Sequence, residues 1–435
     1  MAQDWGDTFG GRLTRLRHDR GLTQEQLADK SGLSVRAISS LEAGARHPRR
    51  LTVEQLASGL GLGPAERREL STAADRRLPA ARRKTPAQPL VGRDRELTEL
   101  RAHVRGDGPP LLVYVGEPGI GKSRLLAEAR QLAANAGAPV LTGAGRRGDD
   151  PYAPIVDALA RLARQLPRPA LLALIRDEPG LLALLPELAA LLPAAGAPPA
   201  EHHRRLVFDA ALRLLEDAAA GSGRVVLLLD DLQWADPAAA DLLAHLVTRM
   251  GARLRVVATV RAGELSLQSR LAQCVADLAR VGLIGHRSLS PLSETDALRL
   301  TGRRDVVRRA GGLPLFLTAL SGEDGLPDQL RIAVRQQLAD LPDDTRVLLQ
   351  RIATGPAGAP VERLIGDGTV AQALAALEPA LRRRILDDTA LGFTFRYPLF
   401  REVLVADLGP TRRRLLRQAV AVLATARHLS RVKLT

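Results

Sequence analysis

The chain has 435 residues, 46% of them hydrophobic, and 62 Lys and Arg against 48 Asp and Glu give a formal net charge of +14. The length predicts about three domains, and the apolar content excludes a mostly disordered chain. The charge favours an acidic polymer as partner. Only four of the 62 basic residues are lysines, however, and an excess of arginine over lysine is weak evidence for nucleic acid. Aromatic residues make up 3%, too few for a base-stacking platform, so any nucleic acid is expected to be duplex.

Cysteine, histidine and hydropathy patterns bear on the compartment. The single cysteine, Cys274, cannot form an intramolecular disulfide, and the scattered histidines predict no structural metal site. The most apolar stretch, residues 181–192, is interrupted by Pro186 and Glu187 and is shorter than the roughly 20 residues of a membrane span. The N-terminus has no signal pattern. We therefore expect a soluble, cytoplasmic protein without a membrane partner.

The first 70 residues predict a small all-α unit. Short helices are predicted at residues 9–18, 23–30, 34–42, 52–60 and from residue 64 onward. Thr23 and Gln26 form a capping-box pattern at the second of them. Arg36, Ser39 and Ser40 face outward, and only outward residues can read DNA. The predicted core residues are Leu16, Leu27, Ala28, Leu33, Ile38, Leu41, Leu56 and Leu60.

The remaining chain predicts a linker and an α/β unit. Residues 71–89 are rich in Ala, Arg and Pro without an apolar period, which is typical of a linker. Beyond them, apolar runs alternate with helical stretches, which predicts a parallel sheet. The runs lie at residues 111–115, 139–142, 225–229, 256–260 and 281–289. A helical insertion is predicted at about 152–219, and the chain after residue 291 is predicted to be mainly helical.

The sequence GEPGIGKS at residues 116–123 fits G-x-x-x-x-G-K-[ST] and lies between an apolar run and a helical stretch, as a phosphate-binding loop requires. Its glycines allow backbone N–H groups to converge on phosphate oxygens at a helix N-terminus. Lys122 is predicted to bridge the β- and γ-phosphates and Ser123 to bind Mg²⁺; the alternative is an ordinary glycine-rich turn. The predicted nucleotide-binding residues of the loop are Gly116, Glu117, Pro118, Gly119, Ile120, Gly121, Lys122, Ser123 and Arg124.

Two acidic residues end the run at 225–229. Paired carboxylates at the end of a buried strand repel each other unless a cation lies between them, and a Mg²⁺–nucleotide supplies one. Asp230 is predicted to hold the metal, and Asp231 to position or deprotonate the attacking water; the alternative is a helix N-cap. Arg261, after another run, is predicted to sense the γ-phosphate or to be a surface arginine. Residues 233–236 are expected to serve packing and capping.

Four motifs together resemble the ATPase module of STAND-class signalling NTPases, an AAA-related group common in bacterial regulators. They are LVGR at residues 90–93, the loop at 116–123, LDDLQWAD at 229–236 and GGLPLF at 311–316. The resemblance implies that Val91, Gly92 and Arg93 lie near the adenine. It implies that Pro314 contacts the base or ribose, and that a helical and then a winged-helix domain follow the sheet. A His often stands at the position of Tyr397, so no nucleotide-sensing role is implied for this tyrosine.

The N-terminal motifs resemble the XRE, or Cro-type, helix-turn-helix family. They are LTQEQLA at residues 22–28, SGLS at 31–34 and ISSLE at 38–42. The resemblance implies that residues 34–42 form the recognition helix in the major groove and that arginines contact the DNA backbone. The DNA-binding residues implied are Gln24, Ser34, Arg36, Ser39, Ser40, Arg46, Arg49 and Arg50. The alternative is a small helical domain used only for protein contacts.

The predicted chain is multidomain. Its parts are an all-α helix-turn-helix domain (1–70), a linker (71–89), an α/β P-loop NTPase (90–292), a small helical domain (293–325), a winged-helix domain (326–424) and a tail (425–435). We expect an ATP-dependent transcriptional regulator that binds operator DNA and changes its assembly state as it slowly hydrolyses ATP. The expected ligands and partners are ATP or ADP, Mg²⁺, double-stranded DNA, further copies of the chain and a separate sensor or inducer.

Two other classes of function stay open. One is a motor-type AAA ATPase that loads or remodels DNA complexes, for which steady DNA-stimulated hydrolysis would be typical. The other is a defence-type STAND NTPase whose effector is a partner, because the sequence itself contains no nuclease, protease or membrane effector pattern.

Overall fold

The computed structural model describes residues 9–33, 35–42, 50–63, 66–67, 69–70, 90–146, 148, 151–178, 180–185, 188, 203–264, 268–322, 325–356, 369–390 and 392–418. Two compact units, Met1–Pro89 and Leu90–Thr435, divide the chain at the end of the predicted linker. The linker itself lies outside the described residues. The bounds predicted for the individual domains stay predictions.

The N-terminal unit is all-α, as predicted. Its helices are α1 (Phe9–Asp19), α2 (Gln24–Ser31), α3 (Val35–Glu42) and α4 (Arg50–Gly59). The capping box at α2 is confirmed, because the Thr23 hydroxyl accepts from Gln26 N at 3.1 Å and the Gln26 side chain accepts from Thr23 N at 2.9 Å. Gly32, in the left-handed region at φ 71°, ends the same helix.

The core of this unit follows the helical spacing of its apolar residues. Six predicted core positions are buried, whereas Leu16 and Leu33 are partly buried. Leu13, which the prediction did not include, is fully buried. The buried predicted residues are Leu27, Ala28, Ile38, Leu41, Leu56 and Leu60.

A buried ion pair joins α1 to α3. Arg17 Nε and Nη2 donate to the two carboxylate oxygens of Glu42 at 2.6 and 3.0 Å, and Arg17 Nη1 donates to Leu22 O at 2.8 Å. The two side chains are 9% and 7% exposed. Gln24 Nε2 also donates to Glu42, at 2.7 Å. One carboxylate at the end of α3 therefore fixes α1 and the start of α2.

The second unit contains a parallel sheet and helices on both faces. In chain order its elements are α5 (Asp94–Arg105), β1 (Leu111–Gly116), α6 (Lys122–Asn135), β2 (Val140–Ala144), α7 (Ala153–Ala163), α8 (Arg168–Asp177), α9 (Gly180–Leu184), α10 (His203–Ala220), β3 (Val225–Asp230), α11 (Pro237–Met250), β4 (Leu254–Arg261), α12 (Arg270–Arg280), β5 (Ile284–Ser288), α13 (Glu294–Thr301), α14 (Arg304–Ala310), α15 (Pro314–Leu320), α16 (Asp328–Ala339), α17 (Asp343–Thr354), α18 (Val370–Arg382), β6 (Leu386–Thr389), β7 (Gly392–Phe395) and α19 (Pro398–Asp407). Short 3₁₀ turns lie at Leu232–Trp234 and Gly251–Arg253.

The strand order β2-β3-β4-β1-β5 brings the chemistry-bearing strand ends together. All pairs in this sheet are parallel, and β1 lies between β4 and β5. Gly116 is paired with Arg261, and Ala144 with Asp230, so the loops after β1, β3 and β4 share one sheet edge. Ligands of open parallel sheets bind at this edge.

The last predicted strand is shorter than its apolar run. Residues 281–289 were expected to be extended, but α12 continues to Arg280 and Gly282 makes a left-handed turn at φ 70°. Val281 is exposed, and β5 begins at Ile284. A helix end followed by glycine therefore replaces the first residues of the predicted strand.

Side chains alternate between two cores. Leu112 and Tyr114 of β1 belong to a core shared with α5, α6 and the C-terminal helices. Leu111 and Val113 belong to the other core, shared with the insertion helices α7 to α10 and with α11 and α12. The antiparallel pair β6–β7 lies where the winged helix was expected; that detail stays a prediction. Among the described residues, no helix is long and apolar enough to cross a membrane.

Candidate nucleotide site and DNA-binding helices

The glycine-rich loop joins β1 to α6 at the sheet edge described above. Gly119 and Gly121 take left-handed φ values of 84° and 103°, which side chains rarely adopt. Gly121 is the N-cap of α6, so the helix begins inside the motif and points its free N–H groups at the loop. The sequence motif therefore has the strand, loop and helix that phosphate binding requires.

The side chain of Lys122 is buried within the loop. Its Nζ donates to Gly116 O at 2.8 Å and to Glu117 O at 3.0 Å. Burial lowers the pKa of Lys122 to about 8, although the nearby carboxylates of Asp231 and Asp230 act in the opposite direction. The ammonium group is thus held by two backbone carbonyls on the side of the loop that faces the acidic strand ends.

Ser123 and Asp230, the two residues predicted to hold Mg²⁺, are hydrogen-bonded to each other. Ser123 Oγ donates to Asp230 Oδ2 at 2.7 Å, and the Thr259 hydroxyl donates to Asp230 Oδ1. A hydroxyl and a carboxylate side by side fit the oxygen ligands that Mg²⁺ prefers. In the described part of the chain, no group of three or more His, Cys, Asp and Glu side chains could hold a metal alone. The pair fits a Mg²⁺ ion whose other ligands are phosphate and water oxygens.

Asp231 is held by a bidentate arginine. Arg261 Nε and Nη2 donate to its two oxygens, each at 3.0 Å, and Gln233 Nε2 donates to Oδ1 at 3.0 Å. Burial opposes ionisation, but these hydrogen bonds outweigh it and lower the pKa of Asp231; the bond to Asp231 raises the pKa of Arg261. Asp231 has φ 51° and makes no side-chain capping bond, contrary to the N-cap alternative.

Two polar residues of this network were missed in the sequence. Gln233 was expected to serve packing, but it bridges Asp231 and the backbone N–H of Arg261, which donates to Gln233 Oε1 at 3.0 Å. Thr259, fully buried on β4, accepts from Asp231 N at 3.0 Å and donates to Asp230. Both residues fix the direction of the two carboxylates.

Residues 91–93, which were expected near the adenine, lie beside the loop. Arg93 is buried, and its Nη2 donates to Ile120 O at 3.2 Å and to Ser290 O at 2.7 Å. Burial lowers its pKa, against the charge of Glu96. Gly92, at φ 67°, leaves no room for a side chain beside Asp296 on α13. Arg93 thus supports the loop backbone from behind, and Val91 is half-buried.

Pro314 begins α15, and this helix contacts the loop. Leu315 N donates to Gly119 O at 3.1 Å, and a Cβ at Gly119 would lie 2.8 Å from Leu315 Cβ. Pro314 itself is half-buried, and the preceding Leu313 is buried. The GGLPLF motif is therefore in contact with the loop, whereas contact of Pro314 with a base or ribose stays a prediction.

Glu117 also makes contacts that the sequence gave no reason to expect. Its carboxylate is buried, and Tyr397 Oη donates to Oε2 at 2.5 Å. Arg396 Nε and Arg384 Nη1 form ion pairs with Oε1 at 3.0 and 3.6 Å. Tyr397 thus contacts the loop. The only sequence signal was an acidic residue inside the loop.

The DNA-binding prediction is only partly within the described residues. Ser39 is exposed on α3, and the half-buried Gln24 at the start of α2 donates to Glu42. The other predicted contacts lie outside the described residues, namely Ser34, Arg46 and Arg49, as do the side chains of Arg36, Ser40 and Arg50. Arg36 and Ser40 belong to α3 and Arg50 begins α4.

Comparison with protein families finds a domain match in the N-terminal unit and one in the first part of the second unit. Residues 8–70 match a helix-turn-helix domain, and residues 89–258 match the AAA ATPase domain. The chain therefore carries a helix-turn-helix domain joined to an AAA ATPase domain, as its motifs predicted. No curated protein matches it.

Several solved structures are similar to the chain. A Walker-type ATPase of Pyrococcus abyssi is 15% identical, with 72% of this chain and 95% of that chain covered and a TM-score of 0.47. A STAND protein with a tetratricopeptide repeat sensor from Pyrococcus horikoshii is 16% identical, with 75% and 44% covered and a TM-score of 0.33. RuvB of Thermotoga maritima is 16% identical, with 69% and 90% covered and a TM-score of 0.30. Likenesses this distant say nothing about substrate or partner.

Proposed function

We propose that the chain is a transcriptional regulator in which ATP binding and slow hydrolysis switch assembly and DNA binding. The observation that carries this proposal is the convergence of Lys122, the Ser123–Asp230 pair and the Asp231–Arg261 pair at one sheet edge, in a chain that also carries a helix-turn-helix domain.

The loop binds the phosphates of ATP in this proposal. Backbone N–H groups at the start of α6 and the Lys122 ammonium contact phosphate oxygens. Ser123 and Asp230 hold Mg²⁺, which neutralises phosphate charge. Thr259 keeps Asp230 oriented through its hydroxyl. Residues 91–93 and Pro314 enclose the adenine and ribose.

Asp231 is the residue that orients or deprotonates the attacking water. Both of its oxygens accept from Arg261, so it can act only after Arg261 releases it. A γ-phosphate offers Arg261 a second anion at the same edge and frees Asp231. The ADP state has no γ-phosphate, so the Asp231–Arg261 pair forms again after hydrolysis. This exchange is the basis of a slow, switch-like turnover.

The helix-turn-helix domain supplies the DNA contact. Its recognition helix, which begins at Ser34, reads bases with Arg36, Ser39 and Ser40, whereas Gln24, Arg46, Arg49 and Arg50 contact the DNA backbone. A single small domain of this kind binds weakly. The nineteen residues from 71 to 89 would reach about 25 Å as a flexible coil. Assembly of ATPase domains then brings several helix-turn-helix domains to repeated half-sites, with a gain in avidity of about 10²–10⁴.

The experiment that tests this proposal separates ATP binding from ATP hydrolysis. Lys122→Ala should lose ~2–4 kcal/mol of ATP affinity, because a charge-assisted contact is removed. Asp231→Asn should bind ATP, hydrolyse it slowly, and stay assembled and DNA-bound. The matched control is Asp277→Asn, which alters an exposed pair with Arg280. Calorimetry, light scattering and DNA footprinting are done with ATP, ADP and no nucleotide.

Two results would overturn the switch. One is an Asp231→Asn protein that stays monomeric with ATP, and the other is identical DNA binding in all three nucleotide states. Unchanged ATP affinity in Lys122→Ala would contradict the loop assignment. Steady DNA-stimulated turnover by the wild type would favour a DNA-remodelling ATPase instead.

A further inference from the structure

The partners of Glu117 come from the far end of the second unit. We name residues 384–397, which contain β6 and β7, the C-terminal hairpin. Arg384, Arg396 and Tyr397 all belong to it, and all lie beyond the residues that match the AAA ATPase domain. The side chain of one loop residue is thus neutralised and hydrogen-bonded by a segment about 280 residues away in sequence.

The hairpin residues are held rigidly around this carboxylate. Tyr397 is buried and packs edge-on against Phe316, with ring centroids 5.6 Å apart. Phe316 belongs to α15, which also bonds to Gly119 O through Leu315 N. Arg396 is oriented from its other side by Asp387 on β6, which accepts from Nη1 at 2.9 Å. The C-terminal region therefore contacts the loop on both sides of Pro118.

Charge gives this contact a consequence for nucleotide binding. The backbone carbonyl of Glu117 accepts from Lys122, so the residue that carries the carboxylate also helps to hold the phosphate-binding ammonium. A polyphosphate placed at the loop would be repelled by an unbalanced Glu117. Arg396 supplies the balancing charge in direct contact, and Arg384 supplies a second one at the surface.

We propose that Arg396 and Tyr397 are positioning residues of the nucleotide site, which fix and neutralise Glu117 so that the loop binds nucleotide tightly only while the C-terminal hairpin is docked. This inference rests on nucleotide binding as proposed above. Because coupling between sites is reciprocal, bound nucleotide holds the hairpin docked by the same factor. The hairpin would then report loop occupancy to the rest of the C-terminal region.

Variants that neutralise Arg396, Glu117 or both distinguish this role from simple packing. Arg396→Gln should weaken ATP and ADP binding at least tenfold, because Glu117 is left unbalanced. Glu117→Gln keeps the backbone groups through which this loop residue contacts phosphate and Lys122, so without the carboxylate it should bind nucleotide at least as tightly as the wild type. The double variant should lie within about threefold of Glu117→Gln. A packing role would make both single variants weaker and the double variant no better. Arg396→Lys should restore much of the affinity.

Two further measurements complete the experiment. Glu402→Gln is the control, since it breaks the Arg309 pair between α14 and α19 without touching the loop. Hydrogen exchange of residues 116–123 is measured without nucleotide, where Arg396→Gln and Tyr397→Phe should speed exchange at least tenfold and Glu402→Gln should not. In the wild type, ADP should slow exchange in the C-terminal hairpin.

The outcomes separate the two proposals. A wild type that binds no nucleotide contradicts the proposed function, and the exchange of the loop then still decides whether Arg396 and Tyr397 position it. Nucleotide binding that is equal in Arg396→Gln and Glu402→Gln overturns the positioning role. The positioning role is also overturned if the double variant loses as much nucleotide affinity as the two single variants together. It is overturned as well if hydrogen exchange of residues 116–123 is the same in all variants.

Discussion

Both units contain bidentate arginine–carboxylate pairs, and two of these pairs, Arg17–Glu42 and Arg261–Asp231, differ in exposure. Arg17 and Glu42, between helices of the N-terminal unit, are 9% and 7% exposed. Arg261 and Asp231, at the sheet edge of the second unit, are 32% and 28% exposed. The first pair is nearly closed to solvent, whereas the second is partly exposed and lies close enough to Lys122 to affect its charge. We therefore expect the same pairing chemistry to act as a scaffold in the N-terminal unit and as an exchangeable contact in the second unit.

The difference follows from solvation. Removing one member of a buried pair leaves a charge without water or partner, which costs much more than the pair itself gains. A half-exposed pair is screened, and either member can take up water or a new ligand when the other leaves. Exposure, rather than geometry, decides which ion pair can take part in a ligand-driven change.

The largest effect is expected at the buried pair. Glu42→Ala should lower the free energy of unfolding of the N-terminal unit by about 3–5 kcal/mol, because Arg17 stays buried and Gln24 loses its acceptor. Calorimetry of the full chain measures this in the transition of that unit. Asp19→Asn is the control, since Asp19 pairs with Arg15 at 3.9 Å on the surface. Equal effects of the two variants would show that burial does not distinguish these pairs.

Acid should destabilise the second unit through His103. This side chain of α5 is 3% exposed, and burial, with the charge of Arg255 second, lowers its pKa from 6.5 to about 4. The unfolded chain takes up a proton below pH 6.5 while the folded chain does not, so stability is complete above 6.5 and falls toward pH 4. The loss is about 3 kcal/mol.

Urea unfolding between pH 7 and pH 4 measures this loss. His103→Gln should remove that part of the pH dependence, and His286→Gln, at an exposed position on β5, should not. The same slope in wild type and His103→Gln would assign the acid sensitivity to other groups.

The smallest effect on stability is expected at the exchangeable pair. Arg261→Gln should change the free energy of unfolding of the second unit by less than about 1 kcal/mol, because both side chains reach solvent. Its ATP hydrolysis should still change, since Asp231 is no longer held. Urea unfolding and a phosphate-release assay on one preparation give both values. A stability loss as large as that of Glu42→Ala would make this pair a scaffold too.

Local sequence patterns predicted the glycine-rich loop and the acidic residues at the end of the run at 225–229. The loop, its glycines and the Ser123–Asp230 pair followed from the motif and from the rule that parallel strands end at one edge. Thr259 and Gln233 were missed because their contacts depend on β4 lying beside β3. The Glu117–Tyr397 bond was missed because no local pattern relates residues so far apart.

The same limit explains the N-terminal unit. Helical periodicity predicted its apolar core, since the spacing of leucines is visible in the sequence. Arg17 and Glu42 look like ordinary surface residues in that pattern, and only the packing of α1 on α3 buries them. Hydrophobic periodicity therefore cannot show which charged residues are buried in a core.

The shared core of the sheet and the C-terminal helices has a consequence for synthesis. One face of the sheet, with Leu112 and Tyr114, belongs to a core that includes Phe316 and Phe400. The ribosome releases β1 long before these phenylalanines, so the nascent α/β unit carries an unfinished apolar face for most of its translation. The N-terminal unit, whose contacts are local, can fold meanwhile. We expect chaperone dependence to arise from the second unit alone.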